Sequence, residues 1–131
     1  MEVALDYSLN NGLGIADVQC DVYTQDDQPW STCEDRVGRS LKFPRWTGVA
    51  DVDDQKTWLN EVGPLAACFS VFNDFYSFNF ASGAAYKYDE TSTYVGGHCV
   101  LIVGYDDEIG GWLFRNSWGS SFGMAGYGYI A

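Results

Sequence analysis

Two short apolar runs, Val100-Leu101-Ile102-Val103 and Trp112-Leu113-Phe114, flank a turn-rich stretch over residues 106–111. The first run is aliphatic and β-branched, bounded by Gly96-Gly97 before it and Asp106-Asp107 after it, a pattern that predicts a buried strand. The acidic and glycine residues between the runs favour a turn. Strands joined by so short a connection pair antiparallel, so the start of the first faces the end of the second. His98, the one histidine of the chain, and Asn116 then sit at the same end of a hairpin, within a few residues of register.

An imidazole held by a side-chain amide is the base-and-orienter part of a nucleophilic triad. The asparagine carbonyl can accept the ring proton and fix the tautomer without adding a negative charge beside a thiolate. The plainer reading is a strand-end histidine satisfied by backbone and an asparagine in a turn.

The longer runs decide between the two. Gly96-Gly97-His98-Cys99-Val100-Leu101-Ile102-Val103-Gly104-Tyr105-Asp106 and Arg115-Asn116-Ser117-Trp118-Gly119-Ser120-Ser121-Phe122-Gly123, closed by Gly126-Tyr127-Gly128-Tyr129-Ile130, resemble the histidine and asparagine segments of papain-like cysteine peptidases. Weaker matches precede them in the same order. Ala4-Leu5-Asp6-Tyr7 with Asn10-Asn11-Gly12 resembles the family's helix after its Cys-x-Gly-Gly segment. Cys20-Asp21-Val22-Tyr23-Thr24, Val62-Gly63-Pro64-Leu65 and Ser82-Gly83-Ala84-Ala85-Tyr86 resemble its Cys-Tyr-Pro-Tyr-Thr, Gly-Pro-Val and Ser-Gly-Gly-Val-Tyr stretches.

The resemblance implies an α+β, papain-like fold. Residues 1–33 would be a remnant of the helical lobe, and residues 34–131 a mostly antiparallel, barrel-like β lobe carrying His98 and Asn116 as catalytic residues. Trp118 would shield their contact from water. Cys68, Gly97 and Cys99 would line a pocket for a substrate side chain. Loop placement and the family's habit of stapling this region imply a Cys20–Cys33 disulfide, with a cysteine of another segment as the competing partner. Such a bridge is worth on the order of 3 kcal/mol in the chain-entropy model. Phe122 stands where the family has a second tryptophan, and Met124-Ala125 where Glu-Asn is common.

The family's nucleophile segment, of the Cys-Gly-Ser-Cys-Trp type, is not in the sequence. It would stand roughly 130–150 residues before the His and Asn, and 97 residues precede His98. Cys99 follows the histidine on a predicted strand, so the two side chains point to opposite faces. Cys68 and Cys99 read as small buried apolar side chains on strands. The expectation is therefore the latter part of a papain-like peptidase, inactive alone. Its partners would be a peptide or protein substrate and an N-terminal half bearing the cysteine. The alternative is a non-catalytic homologue that binds peptide or a partner protein. A secreted or lysosomal or vacuolar parent enzyme is implied by the family; the residues themselves name no compartment.

Elsewhere the sequence is plainer. Met1, Leu5 and Leu9 recur every four residues up to Asn10-Asn11-Gly12, which predicts a helix and its stop. Residues 17–48 lack periodicity and read as long loops. Asp51 or Asp53 can cap a helix through Trp58, Leu59 and Val62 that ends at Gly63-Pro64. Residues 65–71 read as a strand, and Phe72, Phe75, Tyr76, Phe78 and Phe80 as a hydrophobic cluster under a loop, with a binding surface as the alternative. A net charge of −11 argues against nucleic acid and anionic membrane as partners, since both repel an acidic surface. No cofactor is implied. The cysteine spacing does not resemble a zinc site, and Asp106-Asp107-Glu108 reads as an acidic turn rather than a calcium site.

Overall fold

The computed structural model describes residues 14–22, 33–42 and 44–131. The chain divides into two compact units, residues 1–48 and 49–131. The helix expected over Met1, Leu5 and Leu9 lies outside the described residues, as do Tyr23 and Thr24.

In the first unit, β1 (Ile15–Ala16) pairs antiparallel with β2 (Ser40–Leu41), and a 3-10 turn over Arg36–Arg39 leads into the second strand. The Asp17 carboxylate accepts the backbone N–H of Gln19 at 2.9 Å and of Cys20 at 3.0 Å. It also meets Arg39 Nη2 at 2.7 Å, and that hydrogen bond is the main reason its carboxyl titrates below the usual range. Cys20 is buried and joined to Cys33, with Cα atoms 5.1 Å apart. The expectation of loops alone over 17–48 is corrected to this extent. A pair of two-residue strands leaves no period for a sequence to show.

In the second unit, Asp51 caps helix α1 (Val52–Glu61) by accepting the N–H groups of Asp53 at 2.9 Å and Asp54 at 3.2 Å. Asp53 and Asp54 in the first turn complement the helix dipole. The helix ends where the N–H groups of Val62 and Gly63 both reach the Trp58 carbonyl. There follow β3 (Leu65–Phe72), α2 (Asn73–Ser77), a 3-10 turn over Phe80–Ser82, β4 (Ala85–Tyr86), β5 (Tyr94–Asp106), β6 (Gly111–Arg115) and β7 (Tyr127–Ile130). The last five strands form one sheet in the order β3-β5-β6-β7-β4, antiparallel except for the β4–β7 edge.

The hairpin predicted from the two apolar runs is β5–β6, with Asp106 opposite Gly111 and Leu101 opposite Arg115. The Asp106 carboxylate accepts the N–H groups of Glu108 at 2.9 Å and Ile109 at 3.0 Å, so its charge is used to close the turn. A bulge at Val103 separates the Ile102–Phe114 pair from Gly104–Leu113. β5 is longer than its apolar run and is buried on one face only. Val100 and Ile102 point into the core, whereas Cys99 and Leu101 are exposed. An unbroken aliphatic run hides this alternation, because leucine and cysteine on the open face look like core.

Phe75 and Phe114, at 1% and 0% exposure, are the centre of a core completed by Val71, Phe80, Tyr86, Val100 and Ile102. Of the aromatic segment 72–80, Phe75 and Phe80 belong to this core and Phe78 packs against it; its α2 turn carries Phe75 inward and Tyr76 outward. The Tyr86 hydroxyl donates to Asp74 at 3.0 Å. Burial first, then that bond, pushes the phenol up to about 12. A Cβ at Gly128 would lie 2.6 Å from the Phe80 ring and 3.0 Å from Phe114, so β7 needs glycine there for close approach.

Cys68 and Cys99 are not small buried side chains. They are exposed, directly opposite each other on β3 and β5, and joined by a disulfide with Cα atoms 4.0 Å apart. The pairing depends on strand register, which spacing alone did not supply. A crosslink spanning 31 residues is worth about 4 kcal/mol in the chain-entropy model.

Candidate active site

His98 lies on β5 and faces the core side of the sheet; Asn116 is the first residue after β6. The Asn116 backbone is anchored by donating its N–H to the Gly126 carbonyl at 2.9 Å, and its side chain is buried at 6% exposure. The loop that follows is tied back by Gly126 N–H to Phe122 O at 2.6 Å and Met124 N–H to Tyr127 O at 2.9 Å. Inside it, Gly123 has φ +47° and a Cβ there would strike the Tyr127 carbonyl and the Phe80 side chain.

The His98 Nε2 and Asn116 Oδ1 atoms are 3.1 Å apart. The Ser117 backbone N–H also donates to Oδ1, at 2.8 Å. That second bond settles the amide orientation, because a flipped amide would set its NH2 against another donor. Oδ1 is therefore the atom facing the imidazole. Nε2 must carry the proton, which leaves Nδ1 as the free nitrogen of the neutral ring. Among the described residues Nδ1 makes no hydrogen bond. Asn116 Nδ2 is buried and has no partner among them either.

Rings surround the pair. Phe69, the cross-strand partner of His98, meets it edge-on at 5.8 Å. Trp118 stacks on the imidazole at 5.0 Å and 26° while remaining 42% exposed. Trp118 in turn lies parallel to Tyr76 at 5.9 Å, and edge-on to Phe75 at 6.0 Å and Phe122 at 5.4 Å. Tyr76, Phe78, Phe80, Trp118 and Phe122 line a groove of about 390 Å³. From sequence, Tyr76 belongs with the hydrophobic cluster. Its only separate signal is a hydroxyl-bearing ring next to Phe75, where a helical turn sends neighbours in different directions.

Gly97, Cys99 and Cys68 share the other face of β3–β5, all exposed. A Cβ at Gly96 or Gly97 would meet nothing within 4 Å. Crowding therefore does not call for glycine at either position. Among the described residues no three His, Cys, Asp or Glu side chains converge to hold a metal ion. All four cysteines are in disulfides, so the chain in this state offers no thiol.

A model of the papain family of cysteine proteases matches residues 1–131. The chain is 33% identical over 133 residues to digestive cysteine proteinase 3 of Homarus americanus, covering 97% of this chain and 39% of that one. It is 40% identical over 67 residues to a gut-specific cysteine proteinase of Caenorhabditis elegans, covering 50% of this chain and 19% of the relative. The structure resembles procathepsin B S9 from Trypanosoma congolense with a TM-score of 0.73 at 26% identity, over 98% of this chain and 46% of the other. The chain thus spans less than half the length of each of these proteins.

Proposed function

This chain belongs to the papain family of cysteine proteases, and on that premise we propose that it is the base-bearing portion of a thiol peptidase, inactive without a nucleophile from polypeptide outside this sequence. In the assembled enzyme a thiolate attacks a peptide carbonyl. His98, protonated on both nitrogens, gives its Nδ1 proton to the leaving amine and then takes a proton from the water that cleaves the thioester. Asn116 Oδ1 holds the Nε2–H through both steps, so the ring presents the same nitrogen each time. Trp118 covers one face of the imidazole and limits competition from water for that hydrogen bond. Gly97, with Cys68 and Cys99, offers an open apolar face for a substrate side chain.

The observation that carries the reading is the fixed tautomer: two donors on one buried carbonyl oxygen leave the imidazole a single free nitrogen. The pairing of all four cysteines is the one observation that favours peptide binding without catalysis. Incubation of the pure chain with fluorogenic peptides is expected to give background only. Adding a polypeptide that carries the family's cysteine segment is expected to restore turnover, and His98→Ala to abolish it. Thiol-dependent cleavage by this chain alone, lost in His98→Ala, would overturn the assignment of roles. Peptide binding with no turnover in the complemented sample would favour the binding module.

A further inference from the structure

Cys68 and Cys99 take no part in the proton transfers above, yet their bond stands in an unusual place. It crosses directly between β3 and β5 on the exposed face. β3 is an edge strand of the sheet, and among the described residues it pairs with β5 alone. The residues next to the two cysteines, Phe69 and His98, face each other across the same two strands, with their rings 5.8 Å apart. The crosslink therefore lies one residue from the imidazole on each strand, on the opposite face. The other disulfide is less open, since Cys20 is only 4% exposed and Cys33 is half-buried, whereas Cys68 and Cys99 are both exposed. Exchange requires a thiolate to reach a disulfide sulfur, so access decides which bond reacts first.

We propose that Cys68–Cys99 is an exchange site for low-molecular-weight thiols, and that its opening is transmitted through Phe69 to the His98 imidazole. The first thiolate bonds to the sulfur of one cysteine as the S–S bond breaks, giving a mixed disulfide and a cysteine thiolate. A second thiolate attacks the mixed disulfide and leaves as the symmetrical disulfide of the reagent. Two electrons pass to the protein, and the two protons of the reagent thiols end on Cys68 and Cys99. β3 is then held by its backbone ladder and packing alone, and Phe69 gains freedom against His98. The inference needs no peptidase activity, so it stands or falls apart from the function proposed above.

The test titrates the intact oxidised chain with reduced glutathione. Open thiols are trapped with iodoacetamide and assigned by mass spectrometry, while the imidazole resonances of the one histidine are followed by NMR. At each glutathione concentration, labelling of Cys68 and Cys99 is expected to be at least about tenfold faster than that of Cys20 and Cys33, with circular dichroism unchanged. The His98 signals are expected to move in step with the labelling. A Cys68→Ser/Cys99→Ser double variant is expected to show the moved signals without thiol and to ignore glutathione. Opening of Cys20–Cys33 first, or of both bonds together, overturns the assignment of the exchange site. So does a His98 signal that stays fixed while Cys68 and Cys99 become labelled. Both results come from the wild-type chain, so the proposal is testable even where the double variant fails to fold.

Discussion

Phe75 links the core to the site, and its truncation separates that role from the mere presence of an aromatic segment. The ring is 1% exposed and lies 4.9 Å from Phe80, 5.1 Å from Tyr86 and 5.5 Å from Phe69. It also meets the Trp118 ring edge-on at 6.0 Å. Burying such a side chain contributes roughly 1.5–3 kcal/mol of transfer free energy. The unfilled cavity left by Phe75→Ala brings the expected loss to about 3–5 kcal/mol. With a urea slope near 1.5 kcal/mol/M, the midpoint should fall by about 2–3 M. The neighbouring Tyr76 is 59% exposed, so Tyr76→Ala should cost below about 1 kcal/mol. Equilibrium unfolding in urea, followed by circular dichroism, measures both. Should Phe75→Ala leave the chain unfolded, Phe75→Leu gives a smaller loss on the same scale. Equal costs at the two positions would refute the inward placement of Phe75 and the support it gives to Trp118.

Three further outcomes are expected. The folded-state phenol of Tyr86 titrates at about 12, above its unfolded value of about 10. Its stabilising contribution is therefore complete below pH 10 and is lost as pH rises toward 12; Tyr86→Phe should flatten that part of the stability profile, measured by thermal unfolding across alkaline pH. Ala125 holds φ +55°, a conformation that penalises a Cβ by roughly 1–2 kcal/mol, so Ala125→Gly should raise Tm, and an unchanged or lower Tm would contradict it. Asp51→Ala removes the cap of α1 and should cost about 1 kcal/mol in urea unfolding.

The hairpin that carries the site could be read in advance because its signals are local: two apolar runs, a capped turn and the residues flanking them. The same holds for α1, whose Asp51 cap and Gly63-Pro64 stop lie beside the helix they bound. What could not be read depends on register and on which face of a strand is covered. The Cys68–Cys99 bond needs the alignment of two strands separated by a helix, a 3-10 turn, a short strand and a loop. The exposure of Leu101 needs the knowledge that one side of β5 is open. Ser117 fixes the Asn116 amide through its backbone N–H, a group that every residue except proline carries, so no side-chain pattern could announce it. The role of Tyr76 beside Trp118 depends on the direction in which a five-residue helix turns its rings.

The protonation site of the His98 ring is the property on which the proposed chemistry rests. With a single histidine in the chain, long-range ¹H–¹⁵N correlation of a ¹⁵N-labelled sample, recorded on the neutral ring, reads it without ambiguity. The hydrogen bonds at Asn116 Oδ1 predict a protonated, pyrrole-type Nε2 and an unprotonated, pyridine-type Nδ1, with the two forms mixing in Asn116→Ala. A dominant Nδ1–H ring in the wild-type chain would contradict the account, because the nitrogen assigned to proton transfer would already be occupied.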